Sequence, residues 1–447
     1  MKTNKFFAIA AAALVMGLSS CIKENELVNN SNDGGAQTYM GISFTIPASN
    51  QTRATHDVNA SEAEAAFKFV DVFIYNPSTG MQVQHERIPS SYFSGPNPGT
   101  NSDDWTYVSS TKIATTTGAK KVIVGVNLSS DLSTKLKGAS LGEFINVSQA
   151  VNIEDVTGAT DGFAMFSTAP VDIILVKDPD FGAKENYPTI KVQRLVAKVT
   201  VQKDENIQII AAGAVENLMF VLNNTNKKTF FIQPVDKKDH NWATTPAGDL
   251  LDGNSDYVNV DAHNVTVKNL NPKYALENTT QEYLMGQITR ATVRATFIPA
   301  EIKEYAVGAD KAGGYKDVDV TATTPATFYS VSYNMGANRA YFFDEAVADD
   351  FADDNGASVV TYTNGLCYWD MFLNPDNNPA GLPDMGGPYD VFRNDFYRCN
   401  ITKIIGPGRA TPEVTDPTKP PTVPTDIMVD IQMLYWNPIL KDYVLEP

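Results

Sequence analysis

Residues 427–447 read IMVDIQMLYWNPILKDYVLEP and end the chain with a strand pattern. Apolar side chains fall on alternate positions, so an extended backbone places them on one face. Asn437-Pro438 interrupts the run, and the same odd-numbered face then resumes. The residues of this face are Ile427, Val429, Ile431, Met433, Tyr435, Ile439, Tyr443 and Leu445. The stretch is therefore predicted to form two extended pieces with one apolar side to bury.

A proline-rich segment precedes this tail. Residues 410–425 carry prolines at positions 412, 417, 420, 421 and 424 and are predicted to be a linker without sheet or helix. A strongly apolar strand, residues 426–447, thus follows a semi-rigid arm. Such a segment either docks back on its own domain or adds to an open sheet edge of another molecule.

The composition is that of a mostly β protein. The chain has 447 residues, 43% of them hydrophobic, and its Val, Ile, Thr, Tyr and Phe are interspersed with turn-forming residues. This length suits two domains of ordinary size. We predict β-sandwich domains at residues 37–203 and 204–409.

The charge and the scarcity of reactive side chains exclude several functions. A net charge of −17 argues against nucleic acid and anionic membrane surfaces as partners. The histidines are dispersed and stand in no metal-binding motif, so we predict no metal, no cofactor and no enzymatic activity; they are His56, His85, His240 and His263. The acidic run Asp349–Gly356 lacks the spacing of a calcium loop and is predicted to be a solvated loop.

The N-terminus has the features of an export signal. Lys2 and Lys5 precede an apolar run, Phe6–Leu18, that is too short to span a membrane. The run ends at Leu-Ser-Ser-Cys, which resembles a bacterial lipobox with Cys21 as the lipidated residue. An ordinary signal peptide with a chance cysteine is the alternative. We therefore predict a signal peptide at residues 1–20 and a tether at 21–36.

A first strand, residues 39–47, follows the tether. Its apolar residues again alternate, and they are Met40, Ile42, Phe44 and Ile46. The small, polar residues 48–55 that come next have the composition of an exposed, protease-accessible loop. Arg53 is the basic residue of this loop, and taken alone it reads as a surface arginine.

Further apolar runs between turns, among them Thr189–Gln202 and Phe328–Tyr333, predict the remaining strands. Leu141–Ala150 is compatible with a short helix or with a covering loop. Cys367 and Cys399 lie on predicted strands, and both a disulfide and two buried thiols fit the sequence.

Taken together, several stretches resemble the fimbrillins of Bacteroidetes, and most closely the Mfa1-like subunits of short fimbriae. The resemblance extends over nearly the whole chain in order and spacing. Its pieces are the lipobox at Cys21 and residues 163–167, 193–199, 274–279 and 393–408, the last combining an Arg-Asn-x-x-Tyr start with a Gly-Pro-Gly end. Taken singly, Arg194 and Lys198 read as residues on the solvated face of a strand. Glu277-Asn278 and Arg393-Asn394 read as turn residues.

The resemblance implies transthyretin-like β-sandwiches, export as a lipoprotein and polymerisation outside the cell. In such subunits an arginine-specific protease cuts after the first strand, which assigns cleavage between Arg53 and Ala54. That strand then leaves, and the tail of a neighbouring subunit is expected to replace it as the donor strand. The implied partners are further copies, accessory fimbrial subunits, the protease and, through the Cys21 lipid, the outer membrane. The mature location would be an extracellular fimbrium.

A tethered adhesin or glycan-binding lipoprotein that does not polymerise is the alternative function. It would need a platform of exposed aromatic residues. The tryptophans are scattered instead, and they are Trp105, Trp242, Trp369 and Trp436.

Overall fold

The structure is a computed structural model that describes residues 34–46, 64, 66–98, 105–158, 162–210, 212–243, 250–253, 255–266, 269–374, 388–413, 416–422 and 426–436. Strands dominate these residues, as the composition predicted. The strands of the N-terminal half are β1 (Gln37–Met40), β2 (Ser43–Ile46), β3 (Phe69–Tyr75), β4 (Gln82–Pro89), β5 (Phe93–Pro98), β6 (Trp105–Ser109), β7 (Ile113–Thr116), β8 (Gly118–Val126), β9 (Gln149–Ala150), β10 (Met165–Ser167), β11 (Val171–Leu175) and β12 (Thr189–Arg194).

The C-terminal half contains the remaining strands. They are β13 (Val196–Ile209), β14 (Gly213–Asn226), β15 (Lys228–Thr229), β16 (Leu250–Asp252), β17 (Val258–Asn259), β18 (Lys273–Leu276), β19 (Arg290–Pro299), β20 (Glu301–Tyr305), β21 (Tyr315–Asp319), β22 (Phe328–Tyr333), β23 (Asn338–Phe342), β24 (Val359–Tyr362), β25 (Leu366–Phe372), β26 (Asp395–Ile404) and β27 (Ile427–Tyr435). The helices of the described chain are α1 (Ser130–Leu136), α2 (Leu141–Asn146), α3 (Ile153–Thr157) and α4 (Glu345–Asn355).

Most of the N-terminal strands form one long sheet with the order β4-β3-β8-β10-β12-β2-β6-β5, and β11 pairs with β8. A separate pair, β1 and β7, lies beside it. Their apolar faces enclose a core that contains Phe44, Val72, Val124 and Ile190. This core is where the first strand of the chain is buried.

Two sheets form the C-terminal half. One has the order β18-β13-β26-β27 and the other β16-β14-β19-β25, with β17 paired to β14. Their facing sides bury a second core, which contains Phe220, Phe297, Trp369 and Tyr397. The strand β27 is thus part of the sheet that covers this core.

A small layer formed by β20–β24 and α4 is attached to the second core. The prediction of a solvated loop at Asp349–Gly356 is wrong, because most of it belongs to α4. Asp344 caps the start of α4, Gly356 ends it with positive φ, and Phe351 packs inward. The acidic residues occupy the outer face of this amphipathic helix, and its buried residues recur with the helical period of 3.6 residues that the acidic run conceals.

A third core joins the two halves. It contains residues of α1–α3 together with Phe166, Phe231 and Phe396 from opposite halves. The short pair β9–β15 also connects the halves through backbone hydrogen bonds. The helix alternative for Leu141–Ala150 is confirmed by α2, which begins with a capping box between Ser140 and Glu143.

The sheets change over at Leu195, between β12 and β13. The predicted boundary between residues 203 and 204 instead falls inside β13. Thr189–Gln202 reads as one apolar run, so no local pattern marks the point at which the backbone passes from one sheet to the next. The division into two independent domains stays a prediction.

Candidate functional site

The first strand is inserted into the N-terminal sandwich as two short pieces. Its predicted single span, residues 39–47, divides at Gly41 into β1, which pairs with β7, and β2, which belongs to the long sheet. A Cβ at Gly41 would lie 2.1 Å from the ring of Tyr187, so this position has no room for a side chain. The close approach lets the backbone cross from one sheet to the other.

The predicted apolar face of this segment is confirmed. Met40, Ile42 and Phe44 are fully buried, and Ile46 is 2% exposed. The Phe44 ring stacks on Tyr107 at 5.1 Å between centroids, with further edge contacts to neighbouring rings. The segment therefore contributes much of the core in which it lies.

Both edges of β2 are hydrogen-bonded. β2 runs parallel to β12 and antiparallel to β6. Side-chain hydroxyls add to both ladders, with 2.6 Å between Ser43 Oγ and Thr189 Oγ1 and 2.9 Å between the hydroxyls of Thr45 and Thr106. Removing β2 would open an apolar slot between β6 and β12, lined by two rows of unpaired backbone groups.

The predicted modification sites, Cys21, Arg53 and Ala54, lie outside the described residues. The donor residues Ile439, Tyr443 and Leu445 lie outside them as well. Lipidation and cleavage at these positions stay predictions.

The first half of the tail is paired within its own molecule. β27 runs antiparallel to β26, with Ile427 opposite Ile404 and Tyr435 opposite Asp395. Ile427 is 3% exposed, while Val429 and Ile431 pack against the second core. Of the two alternatives that the sequence left open, this structure has the tail docked on its own sheet. Transfer of the strand to a neighbour stays a prediction.

The linker before β27 is also attached to its own half, and its described residues, 410–413 and 416–422, form neither helix nor strand. The backbone N–H groups of Met285 and Gly286 donate to the carbonyls of Lys419 and Pro417, both at 2.8 Å. Arg339 pairs with Asp426 at 3.5 Å. The described part of the proline-rich segment is therefore a strap along the subunit and not an extended arm.

Trp436 anchors the end of β27 in the core that joins the halves. Its side chain is 1% exposed and stacks on Tyr274, with ring centroids 5.6 Å apart. The Arg194 guanidinium lies over the indole, 4.4 Å from the centroid, and its Nη1 donates to the Trp436 carbonyl at 2.8 Å. The backbone N–H of Trp436 donates to the Asn394 carbonyl at 3.3 Å. The tail thus has a fixed point at residue 436.

Glu64 connects this fixed point to the segment that follows the predicted cleavage loop. Its carboxylate accepts hydrogen bonds from Lys198 Nζ at 2.9 Å, the Tyr274 hydroxyl at 2.7 Å and Trp436 Nε1 at 3.3 Å. Its backbone carbonyl accepts two further bonds from Arg194, at 3.1 and 3.2 Å. One acidic residue, 3% exposed, therefore holds groups from distant parts of the sequence together.

The electrostatics of this cluster follow from its burial. Desolvation lowers the pKa of Arg194 to about 10 and also lowers the pKa of Lys198, and the negative charge of Glu64 opposes both shifts. Burial, with help from Glu64, raises the pKa of the Tyr274 hydroxyl, which remains a hydrogen-bond donor. The arrangement is a buried ion-pair network centred on the Glu64 carboxylate.

A second buried pair lies nearby in the C-terminal half. Arg393 Nε donates to Glu277 Oε2 at 2.6 Å, and its Nη1 donates to the Phe231 carbonyl at 3.1 Å. Both side chains are buried. The interpretation of Arg194 and Lys198 as residues on a solvated strand face, and of Glu277 and Arg393 as plain turn residues, is therefore wrong.

Sequence reasoning missed Glu64 and the role of Trp436. The sequence carried a signal for the cluster at the start of β13, where apolar residues flank Lys198 at both odd and even positions. A strand of this kind is buried on both faces, so a lysine in it requires a buried partner. No pattern in the sequence identified Glu64 as that partner.

The remaining candidate chemistry is structural. Cys367 and Cys399 are free, buried thiols, and burial raises the pKa of both, that of Cys399 to about 12. Within the described ranges, no group of three or more His, Cys, Asp or Glu side chains is arranged to hold a metal. None of the helices in the described part of the chain is long and apolar enough to cross a membrane.

Comparison with known proteins assigns this arrangement to the fimbrial subunits of bacterial surfaces. Residues 38–209 match the family model described as Major fimbrial subunit protein (FimA), and residues 360–442 match Major fimbrial subunit protein type IV, Fimbrillin, C-terminal. The chain belongs to the fimbrillin family, as the sequence resemblance predicted. No curated protein sequence matches the chain.

One solved structure supports the fold, and two others are similar chains with lower TM-scores. A fimbrilin (FimA) from Porphyromonas gingivalis W83 has a TM-score of 0.50 at 15% identity, covering 90% of this chain and 98% of that one. A candidate cell adhesion protein from Parabacteroides distasonis has a TM-score of 0.48 at 15% identity over 90% of this chain and 98% of its own. The tip fimbrial protein Mfa3 from P. gingivalis has a TM-score of 0.40 at 14% identity, covering 90% of this chain and all of that one.

Proposed function

We propose that this fimbrial subunit is exported as a lipoprotein and polymerises by strand exchange. A protease cuts after Arg53, the segment that contains β1 and β2 leaves, and the C-terminal segment of a neighbouring subunit takes its place. The observation that carries the proposal is the position of β2, which is hydrogen-bonded on both edges and supplies fully buried side chains. In the sequence, β2 is also followed closely by residues 48–55, the predicted cleavage loop.

The energetics favour replacement of the lost strand. The apolar side chains of residues 40–46 each contribute about 1.5–3 kcal/mol when buried. The ladder hydrogen bonds add about 0.5–1.5 kcal/mol each. A subunit without this segment is therefore destabilised by on the order of 10 kcal/mol in gross terms. A matching strand from a second subunit recovers most of this, less the cost of association.

Such a contact is heterologous and does not close on itself. The slot lies in the N-terminal sandwich, whereas the donor is at the C-terminus. Each added subunit thus presents a new free donor or a new free slot. The expected product is an open fibre.

Limited proteolysis tests the proposal. The chain with Cys21→Ser, purified without lipid, should form ladders of multimers on unboiled gels after low-dose trypsin. Arg53→Ala should remain monomeric, and so should a chain that ends at Trp436. Arg53→Lys is the matched control, because trypsin still cuts after lysine whereas an arginine-specific protease does not. Cleavage after Arg53 without multimers would contradict the proposal.

Lipid anchoring is tested separately. Wild-type chain expressed in a bacterium with a lipoprotein pathway should partition with the outer membrane and take up labelled palmitate. Cys21→Ser should be released or retained without label. Labelling that persists in this variant would contradict assignment of the lipid to Cys21.

A further inference from the structure

The described C-terminal residues are fastened to their own subunit at successive points. The linker is hydrogen-bonded to residues 285 and 286, β27 pairs with β26 along its whole length, and Trp436 is buried at the end. A donor that began at Ile427 would have to break the contacts of β27 with β26 and those of the buried Trp436. A donor that began after Trp436 would break none of them.

The Trp436 anchor depends on Glu64. Arg194 holds the indole ring and the backbone carbonyl of Trp436, and it donates to the backbone carbonyl of Glu64. Arg194 and Lys198 are both buried cations: Lys198 is ion-paired with the Glu64 carboxylate, and the same negative charge stabilises Arg194. Glu64 also bonds directly to the indole N–H. Without this carboxylate the two cations repel each other in a desolvated site.

Glu64 lies on the C-terminal side of the predicted cleavage point. A chain that begins at Ala54 therefore retains Glu64, while it loses β1 and β2. The processed subunit would keep every group of the Trp436 anchor.

We propose that Glu64 acts as a clamp on the end of β27, so that β27 and Trp436 stay in their own subunit during assembly. The inference rests on the proposed function in one respect: it places the exchanged strand within residues 437–447. Glu64 is a positioning residue, which acts through Trp436 and does not contact the exchanged strand.

The lengths are compatible with this division. The segment to be replaced, from Gln37 to Ile46, spans ten residues. Residues 437–447 number eleven, and at about 3.3 Å per residue they reach about 36 Å when extended. They also carry the apolar positions Ile439, Tyr443 and Leu445 on one face.

A disulfide across β26 and β27 tests whether β27 leaves. Cys399 lies opposite Ile431, and both contact the second core. Directly opposed residues of antiparallel strands have Cα atoms about 4.5–5.5 Å apart, which suits a disulfide. The test chain carries Ile431→Cys with Cys21→Ser and Cys367→Ala, so that Cys399 is the partner thiol.

We expect the oxidised and reduced forms of this chain to polymerise equally after trypsin cleavage. Cys399→Ser in the same background is the control that cannot form the bond. If oxidation blocks polymerisation and a reductant restores it, β27 must leave and the inference is overturned. The proposed function would then still stand, because the reduced chain polymerises.

Hydrogen exchange of the uncleaved monomer tests the clamp without any assembly. In Glu64→Gln, amides of residues 427–436 should exchange at least tenfold faster than in the unsubstituted chain. Asp71→Asn is the matched control, since Asp71 is also a buried, ion-paired carboxylate but lies in β3. Its exchange at residues 427–436 should be unchanged. Equal exchange in Glu64→Gln and the unsubstituted chain would overturn the clamp, whether or not the chain polymerises.

Discussion

The first strand and the tail strand have the same alternating pattern in sequence but are held in different ways. β2 pairs on both edges and is buried, whereas within the described residues β27 pairs with β26 alone and has Met428 52% exposed. By contacts alone, β2 is the more firmly held strand.

β2 is nevertheless the strand that is predicted to leave, because a cut in the loop after it severs its covalent connection. β27 is fastened at its far end by Trp436. On the proposed mechanism, the attachment of the strand ends matters more than apolarity in deciding which strand is exchanged.

The largest expected effect is a substitution in the first strand that lowers the free energy of unfolding of the precursor but not that of the fibre. Phe44→Ala should lower the free energy of unfolding of the precursor by about 3–5 kcal/mol, because it removes a fully buried aromatic ring. Fibres made from the same variant should melt like wild-type fibres, since the processed chain no longer contains residue 44. Urea denaturation of both forms measures the two values.

Fibres of Phe44→Ala that are less stable than wild-type fibres would contradict the proposed difference between the first strand and β27. They would indicate that the first strand remains in the assembled subunit. Met81→Ala, at an exposed position, is the control for the measurement.

Ile427→Ala should lower stability by about 2–4 kcal/mol, because the side chain fills the second core. Here the loss should be equal in precursor and fibre, since β27 is retained in both. Urea denaturation of precursor and fibre therefore distinguishes a substitution in β27 from one in β2. A loss confined to one of the two states would show that the surroundings of β27 change on assembly.

Asp239 should make the free energy of unfolding depend on pH in the same way in the precursor and in the fibre. Burial raises its pKa to about 6, although hydrogen bonds from Asn226, Asn241 and Thr279 oppose the shift. The stabilisation from its protonated form is fully present below the unfolded pKa of about 3.9 and is lost as pH rises through about 6. It amounts to at most about 3 kcal/mol.

The difference in stability between wild type and Asp239→Asn should therefore shrink by up to that amount from pH 7 to pH 4 if asparagine mimics the protonated acid. Precursor and fibre should give the same curve. A flat difference would contradict the shifted pKa. Different curves for precursor and fibre would indicate that assembly changes the surroundings of Asp239.

The smallest expected effect concerns the anchor itself. Trp436→Phe keeps the stacking on Tyr274 but loses the hydrogen bond to Glu64, and should cost about 1 kcal/mol in both states. Chemical denaturation measures it, with Trp105→Phe as a control in the N-terminal half. No change in stability would mean that Arg194 and the stacking suffice to hold the end of β27.

Much of the fold follows from local pattern. Alternation identified the buried face of the first strand and predicted strands such as Phe328–Tyr333, which is β22. The family resemblance supplied the class of protein. Patterns of this kind succeed because a half-buried strand has a two-residue period whatever it packs against.

Other features depended on contacts distant in sequence. The Glu64 side chain meets Tyr274 and Trp436 across more than two hundred residues. No local pattern in the sequence indicates a contact between residues so far apart, so Arg194 and Lys198 were interpreted as solvated side chains. The acidic helix α4 was missed for a simpler reason, since its inward apolar residues are separated by runs of Asp that resemble a loop.

Two alternating apolar strands near the ends of the chain can be read from the amino-acid sequence, one followed by a predicted loop with an arginine and the other preceded by prolines. The pairing of each strand and the burial of the tail at Trp436 emerge with the folded structure. Periodicity reports which face of a strand avoids water. The partner that covers this face, and the buried charges that hold its end, are set by residues far away along the chain.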